Sequence, residues 1–171
     1  TIEVATAKAA SKSIQITISK TPINNQPLTL DINPTLLPAD GISTATVTIT
    51  VKDSLGAPVD NGTPIRIAAG EQFLDVNLDG YYTQGVDGLQ YDVNQNGIWD
   101  PIGIIPAITT TTNGVAQVTY TAGYQAGTIY IKVTALPQGD ILQKEGLIVL
   151  VPNDTVASIA LAPENAAIQV R

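Results

Sequence analysis

The sequence predicts an all-β protein, a sandwich of short antiparallel strands with one long acidic loop inserted between two of them. Three observations carry this. Apolar and polar residues alternate with period two in several segments, most cleanly in residues 43–52 (STATVTITVK). Turn-forming residues recur every 8–12 positions, and no segment shows a helical period. Residues 71–100 break the pattern with two near-copies of one oxygen-rich motif, Asp75-Val-Asn77-Leu-Asp79-Gly80 and Asp92-Val-Asn94-Gln-Asn96-Gly97.

In chain order, residues 14–18 alternate Ile14, Ile16 and Ile18 with Gln15 and Thr17, a half-buried strand. Residues 21–27 (TPINNQP) look like a linker. Residues 28–34 form a strand ended by Pro34, and 37–41 (LPADG) a turn. In the strand over 43–52, Ala45, Val47, Ile49 and Val51 face the core and the threonines face out. Residues 63–69 form the next strand. The acidic segment occupies 70–105. Residues 107–112 return to β, and Asn113-Gly114 signals a two-residue hairpin. Residues 115–122 place Ala116, Val118 and Tyr120 on one face, and 127–135 place Ile129, Ile131 and Val133 inward. Residues 136–144 are expected as a loop and 146–151 (GLIVLV) as a closing strand.

The ends echo the middle. Residues 3–7 (EVATA) resemble 131–135 (IKVTA), and Ile159-Ala-Leu161 resembles Leu28-Thr-Leu30, both at an offset near 130. The expected division is therefore residues 1–24 as terminal strands of a preceding repeat or as exchanged strands, 25–153 as the sandwich, and 154–171 as the first strand of a following repeat or an exchanged strand. The lack of an initiator methionine implies a processed chain or an excised segment.

Residues 28–59, with LTL followed by PADGISTATVTITVKDSLGAPV, resemble the opening of bacterial immunoglobulin-like domains of the invasin/intimin group. Residues 111–120 (TTNGVAQVTY) and 126–135 (AGTIYIKVTA) resemble their closing strands. The resemblance implies an Ig-like β-sandwich, extracellular or at the cell surface, used in tandem as stalk or adhesin, with no enzymatic activity. The 70–105 insertion departs from that group and resembles the calcium segments of dockerin-like and thrombospondin type 3-like repeats.

The insertion motif is the opening half of an EF-hand-type loop, D-x-[DN]-x-[DN]-G. Calcium takes six to eight oxygens, and alternate residues of a tight loop aim theirs at one point, with glycine at position 6 for the turn. The expected ligands are Asp75, Asn77, Asp79 and the Tyr81 carbonyl in the first copy. In the second they are Asp92, Asn94, Asn96, the Ile98 carbonyl and Asp100. Position 12, which should be a bidentate Glu, is Val86 in one copy and Gly103 in the other. Asp87 and Glu71 are expected to complete or bridge the shells, giving two Ca²⁺ ions.

Charge supports this. No Lys or Arg lies between Arg66 and Lys132, while Glu71, Asp75, Asp79, Asp87, Asp92 and Asp100 all do. Their mutual repulsion at low effective dielectric is on the order of several kcal/mol, and bound cations relieve it. The net charge of −7 excludes nucleic acid and anionic membrane as natural partners. No apolar run approaches the ~20 residues of a membrane span. With no His and no Cys, Ser-His and Cys-His nucleophiles are excluded, and the regular spacing assigns the carboxylates to metal rather than to glycoside hydrolysis.

Two functions stand against each other: a calcium-stabilised structural or adhesive module flanked by Ig-like repeats, and a filament subunit that exchanges terminal strands with identical neighbours. Phe73, Tyr81, Tyr82, Tyr91 and Trp99 are expected to build a small core around the ions. A carbohydrate- or host-binding platform is the other use of such aromatics.

Overall fold

Thr and β-branched apolar residues alternate through residues 44–51, and the structure turns that alternation into the central strand of a sheet. The computed structural model describes residues 27–137 and 139–153. The expectations for residues 1–24 and 154–171 lie outside these. Among the described residues there is no helix. The strands are β1 (Leu28–Asn33), β2 (Leu36–Pro38), β3 (Thr44–Val51), β4 (Pro64–Gly70), β5 (Gln72–Leu74), β6 (Gly88–Tyr91), β7 (Ile108–Thr110), β8 (Val115–Thr121), β9 (Gly127–Ala135) and β10 (Leu142–Val151).

One sheet has the order β1-β3-β8 and faces a second with the order β2-β10-β9-β4-β7. β1 pairs antiparallel with β3, and the chain then crosses sheets at Pro34, so that β2 runs parallel to β10. Pro34 has no N–H to continue the first ladder. This switch of the first strand, with β4, β9 and β10 in the sheet opposite β3 and β8, is the Greek-key arrangement of an Ig-like sandwich.

Between the sheets lie Val47, Ile49 and Val51 from β3, Ile65 and Ile67 from β4, and Ala116, Val118 and Tyr120 from β8. Ile129, Ile131, Val133, Ile148 and Leu150 come from the facing strands. Each fully buried Val, Leu or Ile stabilises the fold by about 1.5–3 kcal/mol, so these rows dominate the energetics. Tyr120 is wholly buried, and its hydroxyl donates to the Ile102 carbonyl (3.1 Å). Burial pushes its phenol up to about 12, so it stays a donor throughout the physiological range.

Three expectations are corrected. Residues 142–144 are not loop but the start of β10, paired with Ala135, Thr134 and Val133. Gln143, Lys144 and Glu145 hide the strand because its outward face here meets polar groups of the insertion rather than the core. The turn at Asn113-Gly114 forms, with positive φ at both residues and paired bonds between Thr112 and Val115. The strands it joins, however, enter different sheets: β7 pairs with β4 and β8 with β3. The acidic insertion also contains its own two-stranded ribbon, β5 with β6, bulged between Gln72 and Phe73.

Candidate metal centre

Glu71 follows β4 directly and Asp100 precedes the return of the chain to the sandwich. The Glu71 N–H donates to the Asp100 carbonyl (3.2 Å) and the Ile102 N–H to the Ala69 carbonyl (3.1 Å). The insertion therefore begins and ends side by side, and its two oxygen-rich loops lie over the outer face of β4, β9 and β10.

The loops adopt one conformation. In the first, Asp75 Oδ1 accepts the Asp79 N–H (3.2 Å) and Oδ2 the Gly80 N–H (2.8 Å), while Asn77 Oδ1 accepts the Asp79 N–H (3.2 Å). In the second, Asp92 Oδ1 accepts the Asn96 N–H (3.2 Å) and Oδ2 the Gly97 N–H (2.7 Å), while Asn94 Oδ1 accepts the Asn96 N–H (3.1 Å). Position 4 is left-handed in both, at Leu78 (φ 60) and Gln95 (φ 59), and so is the glycine at position 6, Gly80 (φ 83) and Gly97 (φ 78). A Cβ costs roughly 1–2 kcal/mol in that region, which glycine avoids. The Gly97 N–H is the main reason the Asp92 carboxyl titrates below its ordinary 3.8.

Asp87 and Glu71 occupy matching places. Asp87 Oδ1 accepts the Val76 N–H (2.8 Å) and Oδ2 the Thr83 N–H (2.6 Å). Glu71 Oε1 accepts the Val93 N–H (2.7 Å) and Oε2 the Asp100 N–H (3.0 Å). Val76 and Val93 are position 2 of their loops, and Thr83 and Asp100 position 9. Each loop is thus closed by one carboxylate gripping the same two backbone groups, supplied from after the first loop and from before the second. The two carboxylates are divided between the loops rather than shared. Both are buried, Glu71 at 1% and Asp87 at 8% exposure.

Around the second loop Asn94 Nδ2 and Asn96 Nδ2 both donate to Asp100 Oδ2 (2.7 Å each), bringing three polar heads to one point. In the first loop Asn77 Nδ2 donates to Asp79 Oδ2 (2.9 Å), and the Tyr81 N–H donates to Asp79 Oδ1 (2.8 Å), as the Ile98 N–H does to Asn96 Oδ1 (2.7 Å). Among the described residues no three His, Cys, Asp or Glu side chains gather as a cluster. What converges is a mixed set of carboxylates and amides. All of it is hard oxygen once the amides turn their Oδ1 inward, and that chemistry fits Ca²⁺ rather than zinc or a soft metal.

Sequence patterns give no sign of the residues that seat the first loop. Arg66 of β4 donates through Nη1 to the Asp79 carbonyl and lies over the Tyr81 ring (5.3 Å to its centroid). Gln143 of β10 donates through Nε2 to Asp75 Oδ2 (2.6 Å) and Thr134 Oγ1 (3.1 Å). Beside them Lys132 pairs with Glu145 (3.0 Å), which also accepts from Gln72 Nε2 (2.7 Å).

The aromatics pack on one another. The Phe73 ring meets Tyr82 and Trp99 edge-on (5.7 and 5.6 Å), and Tyr82 stacks on Trp99 (5.9 Å). Trp99 Nε1 donates to the Glu71 carbonyl (2.7 Å), and Tyr91 meets Tyr130 of β9 (5.9 Å). Phe73, Tyr82 and Trp99 thus form a small core of the insertion, while Tyr81 packs on Arg66 and Tyr91, 42% exposed, lies on β9.

No protein-family model matches the chain, and no curated protein matches it by sequence. Among solved structures it is similar to the Yersinia pseudotuberculosis adhesin InvE, with TM-score 0.49 and 22% identity over 74% of this chain and 27% of that one. It is also similar to the D00-D0 domain of intimin, with TM-score 0.44 and 16% identity over 71% and 46%. A β-glycosidase from Bacteroides vulgatus matches with TM-score 0.45 and 13% identity over 72% and 14%. The chain spans about a quarter of the InvE structure and about half of the intimin structure. The molecule is an Ig-like β-sandwich carrying paired oxygen-rich loops.

Proposed function

We propose that this chain is an extracellular Ig-like module of a bacterial surface protein, stiffened by two calcium ions and serving as stalk or adhesin within a tandem array. The observation that carries the calcium part is the matched closure of the two loops: a buried carboxylate holds positions 2 and 9 in both, around the same Asp and Asn oxygens. Asp75, Asn77, Asp79, Asp87 and the Tyr81 carbonyl would hold one ion. Asp92, Asn94, Asn96, Asp100, Glu71 and the Ile98 carbonyl would hold the other. Calcium supplies the positive charge that this stretch lacks. The chain's own groups orient the oxygens and tie the insertion to β4, β9 and β10.

The resemblance of residues 28–59 and 111–135 to invasin/intimin-type domains supports the surface setting and the adhesive use. The role favoured for the ions is structural. The sandwich has no helix pair among the described residues to open on binding, as a sensor would, and Phe73, Tyr82 and Trp99 pack on one another rather than lining up as a sugar platform.

Calorimetry and thermal melts of the 171-residue chain in calcium and in EDTA test this. Two ions binding in the ~0.1–1 mM range typical of extracellular modules are expected. At 1 mM calcium and a Kd of ~0.1 mM each ion adds about 1.4 kcal/mol, so two raise the melting temperature by roughly 10 °C. No binding heat together with unchanged melts would refute the calcium role.

A further inference from the structure

β3 begins, β8 ends and β10 ends at one pole of the sandwich, and this pole presents large apolar side chains on an ordered surface. Asp40 Oδ1 accepts the N–H groups of Ile42 (2.9 Å) and Ser43 (2.7 Å), and Ser43 Oγ donates to Asp40 Oδ2 (2.6 Å). These bonds fix the loop that holds Ile42 in solvent at 77% exposure. Gly41 has φ 75, and a Cβ there would collide with the Tyr124 ring, so the ring lies directly on its backbone. Tyr124 is nonetheless 82% exposed. Ile104, 72% exposed, extends the surface: it pairs with Thr121 (2.9 and 2.8 Å), whose neighbour Ala122 donates to the Ser43 carbonyl (2.8 Å). A fixed, solvent-facing Ile-Tyr-Ile surface is the kind of patch that marks a docking site.

The chain leaves the sandwich at this pole. The Ala39 N–H donates to the Val151 carbonyl (2.8 Å), placing the exit beside the Asp40 loop. Residues 154–171 carry Val156, Ile159, Leu161, Ile168 and Val170 with only Asp154, Glu164 and Arg171 charged. The six residues from 153 to 159 reach up to about 20 Å when extended, enough to cross a sandwich whose sheets lie ~10 Å apart. A segment tethered this closely acts at an effective concentration near millimolar, well above a second copy in dilute solution.

We propose that Ile42, Tyr124 and Ile104 form the docking surface for the chain's own continuation, residues 154–171. The pole thereby sets the angle at which whatever follows leaves this unit. The inference is independent of calcium.

The chain has no cysteine, so disulfide trapping is clean. The Ile42→Cys/Ile159→Cys variant should close an intramolecular bond on mild oxidation at micromolar protein. Lys52→Cys/Ile159→Cys, with its first cysteine at the opposite pole, should not. Hydrogen exchange at residues 156–162 should be slowed at least tenfold in the full chain, and Ile42→Asp/Tyr124→Ser should abolish that protection. Because both side chains are exposed, circular dichroism should show that variant still folded. Free exchange at 156–162 with no intramolecular bond overturns the proposal. So does a disulfide that forms only between chains, which assigns the patch to a second copy.

Discussion

Residues 75–83 and 92–100 share a sequence pattern, a set of internal hydrogen bonds and a mode of closure, yet the protein holds them differently. The first loop is pressed on the sheet. Asp75 is 4% exposed, Gly80 packs on Thr134, and Arg66 and Gln143 reach it from β4 and β10. The second is held more loosely: residues 94–98 are exposed, and it is tied through Glu71 and through Val93, which packs on the sandwich core beside Gly127 of β9. The difference teaches that the D-x-N-x-[DN]-G pattern dictates a loop's shape, through side chains bonding their own backbone, while the surface beneath dictates its rigidity. Without metal the first loop should be the more rigid of the two.

The largest test of this contrast is Glu71→Ala. It leaves the Val93 and Asp100 N–H groups without their buried acceptor and should cost about 3 kcal/mol in urea titrations. Calorimetry should then find one ion instead of two. Loss of both ions, or of neither, would break the division of the carboxylates between the loops.

Next comes Gln143→Ala, which removes a charge-assisted bond worth about 1.5 kcal/mol. Affinity at the first loop should fall roughly tenfold, with the second unchanged. An equal fall at both would mean that the sheet anchors the insertion as one body.

Acid offers a finer probe. The folded Asp92 carboxyl lies below its ordinary 3.8, held there chiefly by the Gly97 N–H. Its contribution to stability is therefore complete above about pH 4 and is lost as the pH falls through the lower folded value. Carboxyl-carbon NMR titration of the calcium-free protein should place Asp92 below 3.8. A value at or above 3.8 would show that the second loop is unformed without metal. The smallest effect is Gln95→Gly, which relieves a left-handed position and should stabilise the calcium-free protein by about 0.5 kcal/mol after the entropy of glycine is set against it.

Much of the sandwich is legible because its chemistry is local. Thr against Val and Ile through residues 44–51 can satisfy only a strand with one face buried, and β8 and β9 read the same way. The first half of β10 is not legible: Gln143 and Glu145 meet the insertion, and no periodicity rule anticipates a polar partner for a strand. The three-residue strands β2 and β5 are too short to show a period at all, while β7 falls within the stretch expected as β over 107–112. At the candidate site the motif names its own Asp and Asn residues, and Glu71 and Asp87 are visible as spare carboxylates. Which loop each one closes depends on the pairing of β5 with β6 and of Gly70 with Pro101, a matter of tertiary geometry. Arg66 and Gln143 come from the sheet and carry no signal of their own.

The pairing of Gly70 with Pro101 has a consequence for how such a protein can change over time. A segment that departs and returns through adjoining residues makes no demand on the spacing of its host strands, and loop-closure cost grows only slowly with length. The insertion is thus a portable cassette. Drift in its length, duplication of its loops, or its replacement by a tight turn can all proceed while the host scaffold keeps its register, leaving one stock framework open to outfitting with different attachments.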